Sequence, residues 1–143
     1  MKYALRLILA VAFLMTAATA VAGKGGPNVE GYWVGAGQAM YPDGLSVEIL
    51  EVQAWLFQDG KFFYGDAMFT VEGAPEPLGG QMSGHIKGNA VTGLMGVCWT
   101  EAPDCEGFGV FEGKLSGNKL SGTVVDFSDG STSYLTLHRV PID

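Results

Sequence analysis

The sequence predicts an all-β protein: eight antiparallel strands in an up-and-down meander, closed into a small barrel and stapled by one hairpin disulfide. Three observations carry this expectation. Segments rich in Val, Phe, Tyr, Leu and Thr recur along the chain, each ended by a Gly-containing turn, as antiparallel hairpins require. The connections are short, so each strand should pair with its sequence neighbour. Eight strands of this length remove both exposed edges by closing on themselves, which favours a barrel over an open sheet or a sandwich.

The chain opens with Lys2 and Arg6, an apolar run from Leu7, and small residues ending in ATA and AVA. This is the pattern of a secretory signal peptide over residues 1–22, cleaved after Ala20 or Ala22. The run falls short of the ~20 strongly apolar residues of a membrane span, so no span is expected after cleavage. No Cys follows it, so lipid anchoring is not indicated. The expected location is secreted or periplasmic. Residues 23–29 read as a flexible lead and 30–143 as a single barrel domain.

Removing 22 of 143 residues leaves 121, enough for one domain that buries roughly two-thirds of its unfolded surface. The full chain carries a net charge of −7; without Lys2 and Arg6, 6 basic residues face 15 acidic ones, a net charge of −9. Such a chain lacks the positive field that nucleic acid or an anionic membrane surface needs. Acidity here serves solubility.

The expected strands, in order, are Glu30–Ala39, Leu45–Phe57, Lys61–Glu72, Gln81–Lys87, Ala90–Trp99, Gly107–Leu115, Lys119–Phe127 and Ser131–Val140. Turns YPDG, QDG, APEPLGG, GN, TEAPD, GN and SDG separate them. In the first strand Gly35 and Gly37 interrupt the apolar pattern; no helix start follows, so they are no phosphate loop but points of bending or close backbone approach. Gly65, Gly84, Gly93, Gly96, Gly109, Gly113 and Gly122 recur inside later strands, as tight coiling demands.

In the second strand Leu45, Val47 and Ile49 alternate with polar residues, but then Leu50, Val52, Ala54 and Leu56 do. The apolar phase slips near Ile49 and Leu50, which a β-bulge would absorb. A short amphipathic helix over VEILEVQAWLF is the alternative. In the third strand Phe63, Gly65, Ala67, Phe69 and Val71 share the face expected to meet the core. In the last, Leu135, Leu137 and Arg139 oppose Tyr134, Thr136, His138 and Val140.

Cys98 and Cys105 are the two cysteines of the chain. In an exported protein so close a pair reads as a disulfide across a hairpin, which the chain-entropy account credits with ~2 to 3 kcal/mol. Six residues separate them where a redox motif usually has two, and no His or further Cys stands by for a metal. Glu101, Asp104 and Glu106 match no calcium-loop spacing and read as a solvated hairpin tip. Neither metal nor cofactor is expected.

The triplet Gly31-Tyr32-Trp33 at the head of the first strand resembles the Gly-x-Trp motif of the lipocalins and their calycin relatives, avidins included. The resemblance implies that Trp33 closes one end of an eight-stranded barrel and that Arg139, on the last strand, packs over its indole. It also raises the expectation of a ligand in the interior. The chain departs from lipocalins before its last strand, where Ser128-Asp129-Gly130 leaves no room for their helix.

An eight-stranded barrel is just wide enough for packed side chains or for one small ligand. Trp33, Phe63, Gly65, Phe69, Trp99 and Phe111 are the candidate ligand-binding residues, the aromatics as walls and the glycine as relief of volume. The leading expectation is a non-catalytic barrel binding a small apolar or amphipathic molecule. A protein-interaction module, peptidase-inhibitor-like or an envelope factor, would instead use the acidic surface and hairpin tips. A barrel cyclase-like enzyme would need an inward Asp66, Asp126 or His85; His138 is the other imidazole.

Overall fold

Alternating apolar residues and frequent turns give the chain no sheet edge to expose. The computed structural model describes residues 26–98 and 105–142. Its strands are β1 (Gly31–Met40), β2 (Ser46–Asp59), β3 (Phe62–Val71), β4 (Leu78–Lys87), β5 (Ala90–Cys98), β6 (Cys105–Ser116), β7 (Lys119–Asp126) and β8 (Thr132–Val140). Each pairs antiparallel with its sequence neighbours, and β8 returns to β1 to close the barrel. Among the described residues no helix is long and apolar enough to cross a membrane. The expected signal peptide and the tip of the β5–β6 hairpin, with Trp99, Glu101 and Asp104, lie outside the described residues.

The second strand runs unbroken from Ser46 to Asp59, so the helical alternative is corrected. Gly35 pairs with Val52 and Gly37 with Ile49, while Ile49 pairs with Val71 and Glu51 with Thr70. One extra residue therefore sits in β2 at Leu50, which points to solvent. This bulge lets Ile49 and Val52 both face inward despite the phase slip. The fourth strand also starts earlier than its glycines suggest, because Leu78 and Gly79 extend the ladder opposite Phe69 and Met68.

The core lies inside the barrel and is built at two levels. Phe63 pairs with Gly84, Gly84 with Gly93 and Gly93 with Phe111 across β3 to β6. A Cβ placed on Gly84 or Gly93 would stand 2.8 and 3.1 Å from the Phe63 ring. Likewise Gly113 and Gly122 pair across β6 and β7, and a Cβ on them would meet the Phe111 ring at 2.6 and 2.8 Å. Phe63 and Phe111 thus each occupy the room that a glycine pair vacates, an inner-wall form of aromatic cover over glycine.

These glycines differ in what confines them. A Cβ on Gly84 would also strike the Thr92 carbonyl oxygen at 2.1 Å and the Gly93 Cα at 2.6 Å, whereas on Gly113 the nearest atoms belong to the Phe111 ring. Gly84→Ala should therefore cost about 3 kcal/mol whether or not the ring is trimmed, since backbone cannot yield. Gly113→Ala should lose about 1 kcal/mol less stability in a Phe111→Leu background than in the wild type. Urea-unfolding cycles of both pairs check this; additivity at Gly113 would contradict it.

Candidate functional site

The two ends of the barrel are filled differently. At the end formed by the β2–β3, β4–β5 and β6–β7 turns, Trp33 is fully buried. Its Nε1 donates to the Val29 carbonyl at 2.7 Å, and the Arg139 guanidinium lies 4.7 Å from the ring centroid. Gly31 holds φ +130, a conformation L side chains rarely adopt, so the glycine of the Gly-Tyr-Trp triplet is required by the backbone. Residues 27–29, from the segment read as a lead, cross this end. The Gln58 side-chain oxygen accepts from the Val29 amide at 2.8 Å, and Arg139 donates to the Asn28 carbonyl. Trp33, Arg139 and Val29 together plug it.

Arg139 Nε is buried with no hydrogen-bond partner among the described residues, so attraction to the indole face is what offsets its desolvation. Arg139→Met keeps the apolar stem and removes the charge. It should cost about 1 to 2 kcal/mol, with Arg139→Lys recovering part of the loss. Thermal unfolding of the two variants tests this; equal melting of Arg139→Met and wild type would remove the stack as a source of stability.

At the opposite end a cavity of about 350 Å³ opens to the mouth, walled in part by large apolar side chains and in part by small or polar ones. Ile49, Phe69, Val71, Leu78, Met95 and Leu135 form its apolar wall, with Ala39 and Val124. Tyr41 and the β7–β8 turn supply the polar part through Asp126, Ser128, Asp129, Ser131 and Ser133. That turn is internally braced. Asp126 Oδ1 accepts from the Ser128 amide at 2.7 Å and its hydroxyl at 2.5 Å, and Asp129 Oδ1 accepts from the Ser131 amide at 2.8 Å.

Of the six candidates read from the sequence, Phe69 lines this cavity. Trp33 belongs to the plug, and Phe63 and Phe111 fill the middle. Gly65 gives no inward room: a Cβ there would lie 1.9 Å from the Trp55 carbonyl oxygen. Trp99 lies outside the described residues. Asp66, His85 and His138 are exposed on the outer wall, His85 within 3.2 Å of the Thr92 hydroxyl. Asp126 alone of the proposed inward polar groups reaches the cavity.

The missed residues had a signal. Leu120, Gly122, Val124 and Asp126 keep one period-2 face, and extending the Leu135 and Leu137 face backward gives Ser133 and Ser131. Comparison of the chain with protein-family models, curated proteins and solved structures finds no match. The geometry of the site therefore carries the functional argument alone. Among the described residues, no group of three His, Cys, Asp or Glu is placed to hold a metal ion.

Proposed function

We propose that this is a secreted or periplasmic, calycin-like barrel that binds a small apolar or amphipathic molecule in its mouth cavity, without catalysis. The observation that carries this reading is the one-ended cavity, about 350 Å³, with an apolar wall and a few convergent polar groups. Such a volume is at the small end of ligand sites, and this mixture is what fixes a ligand's orientation. The Trp33–Arg139 contact and the Gly31 backbone support the calycin-like assignment. A disulfide between Cys98 and Cys105 fits their opposed positions in the β5–β6 register.

Native and denatured mass spectra of protein purified from the periplasm test the reading. The denatured mass should lack the leader and two hydrogens, and the native spectrum should carry a small molecule lost on denaturation. Ser133→Phe, which projects a ring from the cavity wall opposite Ala39, should abolish that adduct and leave the melting temperature within a few degrees. A bare native mass that no apolar probe shifts would overturn internal binding.

A second reading rests on the outer wall. Trp55 stacks on Tyr32 at 4.7 Å and Phe57 on Tyr64 at 5.5 Å between centroids, yet Trp55, Phe57 and Tyr64 are 42%, 50% and 57% exposed. An exposed aromatic row of this kind suits a protein partner. Under that reading, the Phe57→Ser, Tyr64→Ser double variant loses co-purifying protein while cavity binding persists; unchanged co-purification removes it.

A further inference from the structure

We propose that the ligand's polar end is a protonated amine, so that the mouth cavity takes the apolar tail of a small cationic amphiphile. This rests on the cavity reading above and specifies its ligand class. Three features of the site converge on it. The first is the position of the polar groups, gathered on one side of the mouth by the β7–β8 turn. Asp126 and Asp129 each use one carboxylate oxygen to brace that turn, and each keeps a second oxygen with no hydrogen-bond partner among the described residues.

The second is Ser131. It is 6% exposed, lines the cavity, and uses its amide on Asp129, while its hydroxyl makes no hydrogen bond among the described residues. That hydroxyl is not among the fully enclosed unpaired atoms of the described residues, so it meets the open cavity, where it can accept from a bound donor. An ammonium group offers three donors and no acceptor, matching two free carboxylate oxygens and one hydroxyl oxygen. Bonds from an ammonium to a carboxylate are charge-assisted and stronger than neutral ones.

The third is where the cations stand. Lys61, Lys87, Lys114, Lys119 and Arg139 all lie at or next to the plugged end, in or beside the β2–β3, β4–β5 and β6–β7 turns and at the close of β8. Arg139 is already engaged with Trp33. The mouth instead carries Asp43, Glu72 and Glu76 in its other turns. An amphiphile ending in carboxylate or phosphate would meet negative charge and, among the described residues, no counter-charge, whereas a cation is drawn in by the same field. At about 30 Å³ for each water-sized group, the cavity holds about a dozen non-hydrogen atoms.

Decylamine, decanol and decanoate match that size and differ only in the polar end. Titration calorimetry of the mature protein with each, below their aggregation limits, should rank decylamine at least tenfold above decanol and decanoate last. The double variant Asp126→Asn, Asp129→Asn keeps the Oδ1 acceptors that brace the turn. It should bind decylamine about tenfold more weakly and decanol unchanged, with the same melting temperature. Decanoate binding as tightly as decylamine, or an undiminished amine affinity in the double variant, overturns the inference. If decanol still binds and Ser133→Phe blocks it, the cavity reading survives that failure. If none of the three binds, both fall.

Discussion

Two phenylalanines can fill the inside of an eight-stranded barrel only where the strands beneath them carry no side chains. Phe63 over Gly84 and Gly93, and Phe111 over Gly113 and Gly122, meet that condition, and the rest of the interior is arranged around them. The glycine pairs let neighbouring backbones approach closely, and the rings restore the apolar contact that glycine forfeits. Dispersion and burial then act where a smooth glycine wall alone would leave a void.

From that packed middle, the two ends are filled to different extents. Toward the plugged end stand Leu115, Leu120 and Leu137, all buried, and then Trp33 beneath Arg139. Toward the mouth, Gly80, Ala39, Ser131 and Ser133 leave space beside the larger Ile49, Phe69, Leu78 and Met95. Because up-and-down strands all run from one end to the other, alternate turns collect at the same rim. One rim therefore gathers the lysines, with Glu30 and Asp59 beside them, and the other carries Asp43, Glu72, Glu76, Asp126 and Asp129 with no lysine among the described residues. Charge segregation here follows from topology acting on turn sequences, with no long-range pairing required.

Much of this was legible in the sequence. Eight strands followed from the spacing of Gly-containing turns, and the phase slip at Ile49 and Leu50 marked the bulge. What local pattern could not supply was depth. Alternation tells that Phe63, Gly65 and Phe69 share a face, but the stagger of strands around the barrel decides that the first packs the middle, the second abuts the Trp55 backbone, and the third lines the cavity. The polar wall was readable by the same period-2 rule. Ser131 and Ser133 lie on the Leu135 face, where small hydroxyl residues look unremarkable until the neighbouring strands show the cavity beside them.

The hollow itself sets a constraint on what occupies it. Because the cavity is open at the mouth, water reaches its apolar wall unless another group covers it. The space is therefore wetted or filled. Asp126, Asp129, Ser131 and Ser133 give water enough partners on one side, but Ile49, Phe69, Val71, Leu78 and Met95 give it none on the other. Water against that wall is poorly held, and its replacement by an apolar group is favourable. The polar side would still need a group able to satisfy it. A molecule apolar at one end and hydrogen-bonding at the other would meet both demands at once, which is the physical ground of the ligand class proposed above.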